Sequence, residues 1–155
     1  MGKKANLEML EFGVAFARKC AELEDQLEID LWLWDNELRF QNQAISLQML
    51  AGCEGAEEAL GHVKDSACSL EELTGNRYLD GAILCEGYLY EALYYFQGYG
   101  DTSTYGKEET KVLDSELKKI LGKYGFFMDL SRGGTIQLQC HESFEEEMKD
   151  CEWNK

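Results

Sequence analysis

The side chains best able to do chemistry in this chain are carboxylates, and they are bunched. Glu22, Glu24, Asp25, Glu28 and Asp30 form one run, and Glu54, Glu57 and Glu58 a second. Glu142, Glu145, Glu146, Glu147 and Asp150 form a third. A carboxylate acts as a general acid or base when burial or a neighbouring charge moves its pKa. It can also ligate a metal, or offer negative charge to a basic partner. With thirty acids in the chain, spacing alone selects no catalytic pair. Glu86 and Glu91 stand among tyrosines, where desolvation would raise a carboxyl pKa, but nothing further marks them.

Other chemistry lacks its usual spacing. The histidines are His62 and His141, and no Cys-x-x-Cys, His-x-x-x-His or Glu-x-x-His pattern occurs, so no metal is expected. Glu58 lies four residues before His62 and reads as a surface pair. Cys140-His141-Glu142 lines up a nucleophile, a base and an acid. Neighbours on a strand point to opposite faces, so the thiol and imidazole would not meet. Gly100 to Lys107 has one residue too many between its glycines for a phosphate loop, and Glu108 stands where a magnesium-binding hydroxyl belongs. There is no Gly-x-Ser-x-Gly elbow. Ser131 to Thr135 reads as a hairpin turn rather than an anion nest. The expectation leans away from an enzyme, and no cofactor is implied.

Charge carries the stronger signal. The net charge is −15, and the excess is uneven: residues 20 to 105 hold seventeen acids against three bases. Such a surface repels nucleic acid and anionic membrane and attracts basic proteins. Rows of carboxylates could occupy a phosphate-binding channel on another protein. The plainer reading is a solvated surface that favours solubility.

Aromatic residues offer a second surface. Seven of the eight tyrosines fall between Tyr78 and Tyr105. Tyr94, Tyr95, Phe96 and Tyr99 follow so closely that they cannot all face one core. Tyrosine combines contact area with a polar tip, which suits an interface. Trp32 and Trp34 raise the same question.

The elements that must position these groups read as follows. Met9, Phe12, Phe16, Cys20, Leu23 and Leu27 recur every three or four residues, one stripe of a first helix. Glu8, Glu11, Arg18, Glu22 and Asp25 lie on its other face. The next stretch reads two ways. Leu27, Ile29, Leu31 and Leu33 alternate like a strand, with a turn at Asp35-Asn36 and a return through Leu38 and Phe40. The helical stripe also continues through Leu31, Trp34 and Leu38. Helices are expected at Gln43–Leu50 and Glu57–Lys64, and from the capping box Ser69-Leu70-Glu71-Glu72 to Gly75. A well-packed helix over Leu79–Gln97, a loop over Gly98–Gly106 and a helix over Lys107–Lys123 follow. The last buries Val112, Leu113, Leu117, Ile120 and Leu121. Phe126, Met128 and Leu130 alternate, as do Ile136 and Leu138, predicting a hairpin. Ser143-Phe144-Glu145-Glu146 opens a final acidic helix.

The expected architecture is α+β, one mostly helical domain over residues 1–155 with one or two β-hairpins. No apolar stretch follows Lys3-Lys4 and none approaches a membrane span. A cytoplasmic protein with reduced, mostly buried cysteines is therefore expected. Its expected activity is binding, as an inhibitor or adaptor on a basic partner, including nucleic-acid-binding proteins such as a nuclease or defence enzyme. The alternatives are an oligomeric module assembling through Tyr and Trp surfaces, and a small-ligand site or enzyme that the sequence hides.

Overall fold

The computed structural model describes residues 3–66, 68–75, 79–85, 89–90, 107–129 and 135–140. Helix α1 spans Lys3–Leu27, and a 3-10 turn covers Leu33–Asp35. Strands β1 (Glu37–Phe40) and β2 (Gln43–Ser46) follow, then α2 (Leu47–Gly52), α3 (Ala56–Leu60), β3 (Lys64–Asp65) and α4 (Leu70–Thr74). Strand β4 is Gly81–Leu84, α5 is Lys107–Lys123, and β5 (Phe126–Asp129) and β6 (Thr135–Cys140) complete the sheet. All pairings are antiparallel, in the order β3-β2-β1-β4-β6-β5. The fold is α+β.

Register sorts the sheet into two faces, because residues directly opposite on paired strands share a side. Leu38 pairs with Ile45 and Ile83, Ile83 with Ile136, and Leu138 with Met128. This apolar face carries the core. Helix α1 lies across it, and α2, α3 and α5 pack around α1. Phe12 sits at the centre, its ring 4.9 Å from that of Phe126, 5.5 Å from Phe16 and 5.8 Å from Tyr124. Gly13 lets α1 approach: a β-carbon there would stand 2.6 Å from Leu38 Cδ2. The opposite face is polar yet largely buried, with Ala82, Gln137 and Gln139 covered. Arg39 Nε and Gln139 Nε2 are buried there without a hydrogen-bond partner.

Several expectations hold. Helix α1, the capping box at Ser69 with Gly75 in the left-handed region, helix α5 and the β5–β6 pair all form. Val112, expected on the buried side of α5, is instead 37% exposed.

Other expectations are corrected. Residues 27–41 form neither a hairpin turning at Asp35-Asn36 nor a continuation of α1. The helix stops at Leu27, and Glu28 and Trp32 take left-handed backbone. The N–H groups that a strand would need are captured locally. Leu31 donates to the Glu24 carboxylate at 2.7 Å and Trp32 to Asp30 at 2.8 Å. Such side-chain bonds compete directly with a ladder. Asn36 Nδ2 donates to the Leu31 carbonyl at 3.1 Å, fixing the loop from the other side. The true hairpin is β1–β2, turning at Gln41-Asn42 with Gln41 at φ 55.

Gln43–Ser46 is therefore a strand, and the helix begins only at Leu47, where the Ser46 hydroxyl accepts the Met49 N–H. The helix expected at Glu57–Lys64 is confined to Ala56–Leu60, and Lys64 is already in β3. Residues 81–84, expected in a helix, form the strand between β1 and β6. Ala82 and Ile83 are fully buried on opposite faces. A run covered on both sides shows no alternation, so periodicity cannot separate it from a helix. The Gly98–Gly106 loop, the Ser131–Gly134 turn and the final acidic helix lie outside the described residues.

Candidate binding groove

A groove of about 1030 Å³ lies between α1 and the start of α3. Helix periodicity builds its first wall. Glu8, Glu11, Ala15 and Arg18 follow one another at three- or four-residue steps, so they stack on one side of α1 and all line the groove. The same spacing carries the row on to Glu22 and Asp25, both exposed. The floor is apolar, formed by Leu7, Val14, Ala15 and the ring of Tyr124. Glu54, Glu57 and Glu58 form the facing wall with Gly55 and Ala56.

Two contacts fix that facing wall. The Arg18 guanidinium donates to the Cys53 carbonyl, tying the chain before α3 to α1. The Glu54 N–H donates to Glu58 Oε2 at 2.8 Å, so the turn into α3 folds back on its own first turn. Among the described lining residues Arg18 is thereby the one base beside five glutamates. Glu57 and Glu58 are exposed, as are Glu8, Glu11 and Glu54.

Burial, with Glu11 adding to it, pushes the Tyr124 phenol above its ordinary value, so it stays a neutral hydroxyl. Cys53, behind the wall, hydrogen-bonds the Met49 carbonyl at 3.2 Å. Burial raises its thiol pKa, Glu58 adds to the rise, and Arg18 opposes it. Cys20 is pushed well up by burial, then by Cys85 and Glu24. A thiol held protonated is a weak nucleophile. The groove thus presents five carboxylates and one guanidinium around an apolar lining.

The three acidic runs are placed as follows. Glu54, Glu57 and Glu58 join Glu8 and Glu11 at the groove. Glu22 and Asp25 extend the α1 row, with Lys19 Nζ 3.3 Å from Glu22. Glu24 turns away to hold the loop; burial raises its pKa, the bond from Leu31 lowers it, and Asp30 and Asp25 raise it. Glu28 and Asp30 are exposed on that loop. Tyr94, Tyr95, Tyr99, Glu142, Glu145, Glu146, Glu147 and Asp150 lie outside the described residues.

Glu8, Glu11 and Tyr124 were not singled out as site residues from sequence. Residues 1 to 19 are net basic, which hides two acids on the helix face opposite the core stripe. Only the folded chain sets them beside Glu57.

Two smaller depressions lie elsewhere, one of them next to the groove. One of about 370 Å³ runs from Glu58 and Cys53 to Met49, so it shares Glu58 with the groove. Another of about 370 Å³ holds Arg39, which donates to the Ser66 hydroxyl and lies 3.5 Å from Glu37. Beyond them, Trp32 and Trp34 are 44% and 64% exposed. Among the described residues no group of His, Cys, Asp and Glu is arranged to hold a metal, and no helix is long and apolar enough to cross a membrane.

No protein family, curated protein or solved structure matches this chain.

Proposed function

We propose that this protein is a small acidic binding module, an inhibitor or adaptor that engages a basic surface of a partner protein in the cytoplasm. The observation that supports this reading is the acid-rimmed groove. Two stretches of glutamates separated by more than forty residues of chain line one apolar cleft. Like charges held this close repel one another, so the arrangement costs stability until a cation is bound between them.

Nucleic-acid-binding proteins, including nucleases and defence enzymes, present the matching surface. Their basic channels are built for rows of negative charge, and release of counterions would drive association as it does with DNA. The row Glu8, Glu11, Glu22, Asp25 extends roughly 25 Å along α1 at 1.5 Å per residue. That is comparable with the span of several phosphates.

The test is capture of a partner from lysate at low salt, repeated with Glu11→Lys and Glu57→Lys combined. A specific basic protein that elutes at moderate salt and is lost with the double variant is the expected result. Capture indifferent to both salt and charge reversal would count against the proposal.

A second reading rests on Trp32 and Trp34. Large exposed aromatics at adjoining positions favour assembly through that surface.

A further inference from the structure

We infer that the segment taken by the α1–α3 groove is a basic amphipathic helix of about three turns, a deepening of the proposed function that rests on it.

The length of the groove sets the length of the occupant. Its α1 wall runs from Leu7 to Arg18, eleven residues of rise, or roughly 16 Å at 1.5 Å each. The apolar side chains of the floor, Leu7, Val14, Ala15 and Tyr124, lie among glutamates contributed by both α1 and the start of α3. A ligand lying along it needs an apolar stripe flanked on both sides by positive charge. On a helix that is the i, i+3/i+4, i+7 pattern with Lys or Arg at the intervening positions.

Backbone chemistry separates a helix from an extended peptide. An extended segment gains affinity by pairing its N–H and C=O groups with a strand edge. The α1 wall is a helix with its backbone paired internally, the facing wall is the turn that opens α3, and neither presents a strand edge. In that turn the Cys53 carbonyl is taken by Arg18, the Glu54 N–H by Glu58, and the Gly55 carbonyl by the Ala59 N–H. An extended peptide laid on the apolar floor would leave its own polar backbone unpaired, at a cost. A helix satisfies its backbone internally and presents only side chains.

Charge complementarity fixes the sign. Lys or Arg on one flank of the occupant meets Glu8 and Glu11, and on the other meets Glu54, Glu57 and Glu58. Where a basic side chain packs on the Tyr124 ring it gains a cation–π contact, as Lys123 Nζ does at 5.6 Å from the ring centroid.

The experiment uses the full chain and two synthetic Leu/Lys peptides of identical composition. One carries the helical pattern and the other strict alternation; oligolysine is the charge-only probe. Binding is followed by calorimetry and peptide helicity by circular dichroism. The expected result is that the helical-pattern peptide binds at least tenfold tighter than its isomer and gains helix on binding. Ala15→Tyr, which fills the floor without changing charge, should abolish that preference while oligolysine binding persists. Equal binding of the two isomers overturns the helix inference but leaves the basic-partner proposal standing. Failure of all three probes at low salt overturns both.

Discussion

Arg18 of α1 donates a hydrogen bond to the carbonyl of Cys53, thirty-five residues away in sequence. This contact adds to the packing of α3 on α1 and ties the glutamate wall to the glutamate row. It also places a positive charge where it can moderate their repulsion. Arg18→Ala should lower stability by about 1 kcal/mol, because the lost bond has a charged donor but is partly solvated. That corresponds to a fall in Tm of about 2–4 °C for a chain of this size. Thermal unfolding followed by circular dichroism checks it; an unchanged Tm would show that the wall is held by other contacts.

Gly13 is where α1 comes closest to the sheet. A β-carbon would stand 2.6 Å from Leu38 Cδ2 and 3.1 Å from Leu50 Cδ1, and both leucines are fully buried. Gly13→Ala gains about 1 kcal/mol in helix propensity, but overpacking of a core typically costs about 1–3 kcal/mol. The net expectation is a loss of about 1 kcal/mol in urea unfolding. A stabilised variant would mean that Leu38 can turn aside freely.

Glu24 predicts a pH dependence. Its folded pKa is raised, mainly by burial, so the folded chain holds this proton more tightly than the unfolded chain. The associated stability is complete below the ordinary carboxylate value and is lost as pH rises through the raised one. Glu24→Gln keeps an acceptor for the Leu31 N–H and should equal or exceed the wild type at neutral pH, with the gap narrowing toward acid. Glu24→Ala leaves that N–H unpaired and should cost about 1–2 kcal/mol at every pH. Urea titrations over the acid to neutral range check both; a Gln variant as weak as the Ala variant would contradict the assignment.

Particular residues show how much of the fold was legible in the sequence. The stripe that buries Phe12 and Leu23 is local, and so is the Ser69 capping box; each announces itself within a few residues. Helix α5 and the β5–β6 alternation were equally plain. The segment from Leu27 to Leu33 alternated like a strand, yet Glu24 and Asp30 took the N–H groups that a strand would use. Gly81–Leu84 looked helical because a strand buried on both faces shows no period. The groove was half legible: Glu54, Glu57 and Glu58 stood out as a run. Their pairing with Glu8 and Glu11 depends on α3 docking against α1, a long-range contact with no local signature.

Trp34 is mostly exposed, so Trp34→Ser should change stability by no more than about 0.5 kcal/mol. If the tryptophans mediate assembly, the wild type will show a concentration-dependent mass by light scattering and the variant will not. A strict monomer at high concentration would set that second reading aside.

The most direct test of the groove as a basic-partner surface is a residue-by-residue NMR titration of the isotope-labelled protein with oligolysine at low salt. The account predicts that amide shifts concentrate at Glu8, Glu11, Ala15, Glu57 and Glu58 and vanish as salt is raised. Shifts spread evenly over all exposed carboxylates, or confined to the loop around Glu28 and Asp30, would contradict it.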